Sequence, residues 1–305
     1  MRIHHLNCIS SCPLGGRLMD GRTESILRRG HLTCHCLALE TVAGVVLVDT
    51  GYGVRDVADP GSRLSRMFLT LLRPDLRVEL TAVRQLARLG FRPEDVTHIV
   101  LSHLDFDHAG GLDDFPNATV HMLAAERASA EAQWTWLDRQ RYRPQQWTRS
   151  RARWRTYPSM SGERFHGFAG VRAMVGLPPE ILLVPLVGHT LGHAGVAIDT
   201  GTGWLLYAGD AYFFHGELER RPHCTPGLRL YQWMMEKDRE MRLANQRRLR
   251  DLALAASDID VFCAHDVVEF ERLAGRSATI PAHMLSARGV RATDVATPAH
   301  AGVHS

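Results

Sequence analysis

The stretch SHLDFDHAGG puts two imidazoles and two carboxylates within six positions: His103, Asp105, Asp107 and His108. Neutral imidazole and carboxylate are the usual nitrogen and oxygen donors to zinc and related cations. Three more donors each follow an apolar, strand-like run: His189 after ILLVPLVG, Asp210 after WLLYAG and His265 after IDVFCA. A lone His or Asp at a strand exit is usually a cap or turn residue. One arrangement used four times, a strand and then a donor, points instead to a shared centre at strand ends. In a strand-exit loop His103 and Asp105 can reach one ion, and Asp107 and His108 turn toward a second. Seven donors suffice for two ions if Asp210 is shared. Two ions about 3.5–4 Å apart can hold a bridging hydroxide and clamp the oxygens of a reacting group.

The elements that would carry these donors are readable from periodicity. HCLALE (35–40) and VVLV (45–48) are apolar runs on either side of a turn and predict a hairpin ending at Asp49. VELTAVRQLARLG (78–90) has helical spacing and a glycine stop. THIVL (97–101) is a short buried strand that runs straight into the His/Asp cluster, and ATVHML (118–123) is another. VAIDTGTGWLLYAGD predicts a second hairpin, a long amphipathic helix is expected over about 228–256, and IDVFC is the last strand. The segments 36–52 and 196–212 share one plan: strand, tight turn, strand, aspartate, small residues, tyrosine. Two halves built alike predict an αββα sandwich with function at the strand ends.

The 305 residues are enough for one large α/β domain. A formal charge of +3 is too mild to argue for a nucleic-acid partner. The six cysteines do not resemble a secreted disulfide framework, no run is long and apolar enough for a membrane span, and MRIHHLNCISSCPLGG lacks a signal-peptide core. The expectation is a reduced, cytoplasmic protein acting on a small molecule, without nucleic-acid or membrane partners. Residues 139–170 lack clean periodicity and are rich in Arg and aromatics, which reads as an insertion or lid, with outer limits at about 127–175. The tail 286–305 is small, polar and expected to be mobile, leaving a single domain over 1–285.

In their order along the chain, LVDTG (47–51), SHLDFDHAGGL (102–112), GHTLGH (188–193), AGDAY (208–212) and AHD (264–266) resemble the metallo-β-lactamase-fold hydrolases, and within them the branch that includes N-acyl-homoserine lactonases. The resemblance implies two divalent ions, zinc foremost. His103, Asp105 and His189 would hold the first and Asp107, His108 and His265 the second, with Asp210 between them. It makes Asp49 a buttress and His193 structural. The implied reaction is attack of a metal-bridging hydroxide on a lactone or other ester-type carbonyl. Asp107 would shuttle the proton to the leaving oxygen, and Tyr212 is a candidate oxyanion donor.

The sequence departs from that branch in two places. Asp105 stands where the branch normally has histidine, and Phe213 where some of these lactonases place a catalytic tyrosine. An added carboxylate favours harder ions such as iron or manganese, although carboxylate ligation of zinc is ordinary. A side chain too short to reach would leave one full site. The alternatives to a hydrolase are an iron-dependent oxidoreductase on the same fold and a metal-containing binding protein with little turnover.

Overall fold

The runs HCLALE and VVLV form the hairpin that their pattern predicts. Strands β2 (His35–Thr41) and β3 (Gly44–Val48) pair antiparallel, with Leu37 opposite Val48 and Thr41 opposite Gly44. The computed structural model describes residues 1–159 and 162–279, so the tail expected after residue 285 lies outside them. The first sheet adds β1 (Arg2–Asn7), β4 (Val96–Val100), β5 (Thr119–Leu123) and β6 (Trp154–Tyr157), and its six strands lie in sequence order. The second sheet contains β7 (Glu163–Phe165), β8 (Phe168–Ala173), β9 (Ile181–Pro185), β10 (Ala194–Asp199), β11 (Trp204–Tyr207) and β12 (Ile259–Phe262), also in order.

Alternation of side chains along the strands builds the layers. Leu37, Leu39, Val46, Val48 and Val100 pack between the sheets against Ile181, Leu183, Val196, Ile198 and Leu205. Their neighbours Cys36, Ala38, Val45, Leu47 and Ile99 face outward to meet Leu86 and Ala130 of the covering helices. On the far side Val184, Ala197, Leu206 and Val261 meet Leu249 and Leu252. Both faces of each sheet are thus covered, which gives the αββα sandwich. Each fully buried Val, Leu or Ile contributes about 1.5–3 kcal/mol, and this packing holds the strand exits in register.

The two segments of like sequence occupy like places. In each, a hairpin (β2–β3 and β10–β11) hands its second strand to a parallel neighbour, β3 to β4 and β11 to β12. In each half a donor follows that neighbour, His103 after β4 and His265 after β12.

Two expectations are corrected. The helix over 228–256 is two helices, Pro226–Met235 and Arg239–Ala255. The break at 236–238 is stitched to the His189 loop: the Lys237 and Asp238 amides both donate to the Gly188 carbonyl, at 2.9 Å, and Asp238 caps the second helix by accepting from the Met241 amide. The Arg/Trp-rich stretch is not a lid. It is woven into both sheets, with β6 pairing parallel to β5 and β8 antiparallel to β9. Trp147 is 3% exposed in the outer core of the first sheet. Its periodicity is poor because it is cut into short pieces, Trp136–Arg141, Pro144–Trp147 and Arg151–Arg153. Among the described residues no helix is long and apolar enough to cross a membrane, and the six cysteines are unpaired.

Candidate metal centre

All seven predicted donors converge, and none is more than 6% exposed. Parallel pairing of β3 with β4 brings Asp49, at the exit of one strand, beside Ser102 at the exit of the other. Asp49 accepts from the Ser102 amide (2.8 Å), the Ser102 hydroxyl (2.6 Å), the Tyr207 hydroxyl (2.7 Å) and His108 Nδ1 (2.7 Å). Holding the proton of His108 on Nδ1 turns Nε2 toward the centre as a donor. His265 is oriented in the same way by giving its Nδ1 proton to the Thr33 carbonyl at 2.7 Å. Glu126 ties the loops together, accepting from the Leu104 amide on one side and from the Thr190 hydroxyl and Gly192 amide on the other. Asp49 is therefore the expected buttress. His193 packs behind His103 and His189 with both ring nitrogens committed to backbone: its Nδ1 donates to the Leu186 carbonyl and its Nε2 accepts from the Asp210 amide. That contact explains Gly209, at φ +53°, where a Cβ would lie 2.7 Å from His193 Nε2.

Asp210 lies in the middle. Its Oδ1 is 3.2 Å from His265 Nε2 and 3.4 Å from His108 Nε2, and its Oδ2 is 3.4 Å from His189 Nε2 and 3.7 Å from His103 Nε2. Asp107 Oδ2 is 3.7 Å from His265 Nε2. Donor atoms gather in three overlapping trios: His103, Asp105 and His189; His103, His108 and Asp210; and Asp107, His108 and His265.

A Metallo-beta-lactamase superfamily profile matches residues 29–264. The chain belongs to the metallo-beta-lactamase superfamily. A protein named as a probable metallo-hydrolase in Mycobacterium tuberculosis is 38% identical over 267 residues, 87% of this chain and 80% of the relative. An N-acyl homoserine lactonase from a Bacillus species is 28% identical over 260 residues, 84% and 91% of the two chains. Among solved structures, an N-acyl homoserine lactone hydrolase with its product N-hexanoyl-L-homoserine at the catalytic metal centre superposes with a TM-score of 0.64 at 22% identity. That match covers 88% of this chain and 95% of the other. At that identity the superposition speaks for the fold.

The match and the 38% identical probable metallo-hydrolase mark a metallohydrolase family, and the second set of donors suits a divalent cation. His108 Nε2 and Asp210 Oδ1 are buried with no hydrogen-bond partner among the described residues, a costly state unless something binds them. The charge balance agrees. Burial lowers the pKa of His108, but Asp210, Asp49 and Asp107 outweigh it and hold the ring well above its usual range. Burial raises that of Asp210, yet His265 and His108 bring it well below the carboxylate range. A cluster that draws protons onto its imidazoles calls for positive charge, which a divalent ion supplies.

The first set differs from the superfamily expectation, because a buried arginine occupies it. Arg141, 0% exposed, sends Nε to Asp105 Oδ1 (2.7 Å) and Nη2 to Asp105 Oδ2 (2.5 Å). Nη2 also lies 2.8 Å from His189 Nε2, and Nη1 donates to the Met235 carbonyl at 2.6 Å. Burial works against the Asp105 carboxylate, but Arg141 and then His103 hold its pKa well below the usual range. Burial, then Arg141, push that of His189 down to about 4, so its ring is neutral. Asp105 and His189 do converge as expected, but as partners of Arg141 rather than as free donors.

Tyr212 is not brought to the centre. Its ring lies in the outer core of the second sheet, and its hydroxyl donates to Glu269 at 2.8 Å. Phe213 is the residue that reaches in, stacking on His265 with ring centres 5.0 Å apart and lying 5.7 Å from His189. Tyr231, half-buried on the helix Pro226–Met235, stands edge-on to Phe213 at 5.7 Å. Burial, then the carboxylates of Asp107, Asp105 and Asp210, push its phenol well above the usual range. Sequence reasoning missed Arg141 and Tyr231. Arg141 is one of many arginines in its segment, and Tyr231 sits inside an amphipathic helix pattern with no motif around it.

Proposed function

We propose that this chain is a metal-dependent hydrolase that opens a lactone or another ester-type substrate. The observation that carries the reading is the position of Asp210, buried between His108 and His265 on one side and His103 and His189 on the other. The 28% identity to an N-acyl homoserine lactonase across most of both chains supports an ester-type carbonyl as the target. Asp107, His108, His265 and Asp210 would hold the ion. A divalent ion bound there supplies Lewis acidity and water activated near neutral pH.

The chain's own residues do the rest. Asp49 and Thr33 orient the two imidazoles. Asp107, the most exposed of the seven at 6%, is the carboxylate placed to pass a proton to the leaving oxygen. Tyr231 takes the place proposed from sequence for Tyr212 and donates to the carbonyl oxygen as charge builds on it. Zinc remains the first choice of metal. Asp105, whose extra carboxylate was the reason to admit iron or manganese, is engaged by Arg141. The same engagement weighs for a hydrolase over an iron oxidoreductase. Six unpaired cysteines accord with a reduced cytoplasmic setting.

The test is a panel of lactones, carboxylic esters, thioesters and phosphoesters offered to metal-loaded protein, with chelator-treated protein as control. Metal-dependent hydrolysis of a lactone or ester is expected. Metal binding with no turnover across the panel would overturn the reading in favour of a binding protein.

A further inference from the structure

We propose that the guanidinium of Arg141 takes the place of the superfamily's first metal ion, so that this chain holds one tightly bound ion rather than two. The inference rests on the metallohydrolase reading only in assuming that an ion binds at all.

The argument begins with lone pairs. A neutral imidazole has a single in-plane lone pair, and a guanidinium can only donate. With Arg141 Nη2 at 2.8 Å, the lone pair of His189 Nε2 is already engaged. Nε2 also lies 3.1 Å from Asp105 Oδ2, but that oxygen already takes an N–H of Arg141, and the closer Arg141 contact puts the proton of His189 on Nδ1, which is buried and has no partner among the described residues. That ring therefore offers no nitrogen to an ion while Arg141 is in place. Asp105 is engaged as fully, since each carboxylate oxygen takes one N–H in a two-pronged arrangement. Of the first trio only His103 Nε2 stays uncommitted, and it also belongs to the trio with His108 and Asp210.

Arg141 is not a visiting side chain. It is the last residue of the helix Trp136–Arg141, its guanidinium lies 5.6 Å from the Tyr142 ring centre, and Nη1 is tied to Met235. An arginine does not lose its proton in a protein, so its positive charge is permanent. A divalent ion entering between Asp105 and His189 would meet that charge at close range and would have to break three hydrogen bonds. The second set carries no such obstacle. Arg141 thus replaces one exchangeable cation by a fixed one, satisfying Asp105 without needing metal.

Chelator-treated protein titrated with zinc against a competing chelator, with bound metal counted by elemental analysis, tests this directly. One tight equivalent is expected for the unaltered chain, and two for Arg141→Gln, which frees Asp105 and His189. Asp105→Asn, which leaves the arginine in place, should stay at one. Two tight equivalents on the unaltered chain would overturn the proposal, as would a folded Arg141→Gln that stays at one. If Arg141→Gln does not fold, cobalt absorption of the unaltered chain decides: bands that saturate at one equivalent support the proposal, and a second set growing to two overturns it. Hydrolysis measured on the same preparations separates the two readings. Two ions with turnover sink only the arginine proposal, and one ion without turnover sinks only the hydrolase.

Discussion

Arg141 and Asp105 face each other as a buried pair, Nε to Oδ1 and Nη2 to Oδ2, with neither side chain more than 3% exposed. Removing one partner strands the other charge in the interior. Arg141→Met should therefore destabilise the metal-free protein by about 3–5 kcal/mol. The double variant Arg141→Met/Asp105→Leu should recover most of that loss, because replacing both charges by apolar groups removes the desolvation cost. Urea unfolding of the three chains reads both values. A loss below about 1 kcal/mol, as exposed pairs show, would mean that the pair is not formed in solution.

Asp49 acts on metal through His108. Asp49→Asn replaces an acceptor of four hydrogen bonds with a group that also donates, so the Nδ1 proton of His108 loses its fixed partner. Metal affinity should fall about 10–100-fold, the usual effect of losing such an orienting group. Competition with a chromophoric chelator measures it, and an unchanged affinity would show that Asp49 does not set the orientation of the ring.

Glu269 should make stability depend on pH. Burial, then Asp266, raise its carboxyl from 4.5 to about 8 in the folded chain. The folded state thus keeps a proton that the unfolded state releases. The stabilising contribution of protonated Glu269 is complete below about pH 4.5, erodes as pH rises toward 8 and is flat above that. The slope in that window is at most about 1.4 kcal/mol per pH unit. Glu269→Gln mimics the protonated acid: its oxygen can accept from the Cys263 amide and its nitrogen can donate to Tyr212, the two groups that Glu269 meets. The variant should lose this slope. Melting temperatures of both proteins from pH 4.5 to 9 test it, and parallel curves would contradict it.

Trp147 is a core residue, and its removal should act on stability. Trp147→Ala empties space beside Trp154, whose ring centre is 5.4 Å away, and should cost about 3–5 kcal/mol. KM for the substrate found by the panel should change little. A large KM change at unaltered stability would restore the lid that the sequence suggested.

The donors and the layers that carry them were legible because both rest on short-range rules. Short apolar runs such as HCLALE and VVLV on either side of a turn mark buried strands, and His103, His189, Asp210 and His265 mark where such runs stop. The role of Asp49 was implied by the resemblance to the metallo-β-lactamase-fold hydrolases rather than by its position, and its contacts with Ser102 and His108 agree with it. The helix break at 236–238 was not legible, because amphipathic spacing continues across it and the cause is the contact of the Lys237 and Asp238 amides with Gly188, about fifty positions away in the chain. The short strands β6, β7 and β8 at the sheet margins were hidden for a related reason. They are three to six residues long and take their register from neighbours.

By itself the sequence determined the αββα frame and named seven candidate donors, because strand periodicity and the chemistry of His and Asp are properties of each segment alone. It left Asp105 open between a tolerated ligand, a preference for another metal and an incomplete site. Only the tertiary structure decided what Asp105 touches. Nothing in RQRYRPQQW separates Arg141 from its neighbours Arg139 and Arg143, since all three are arginines in a short, irregular, polar segment. Packing alone turns Arg141 inward, to 0% exposure, while the other two reach backbone carbonyls of nearby loops. A charge can stay in such a place only if an opposite charge meets it there. Thirty-six positions upstream, Asp105 does.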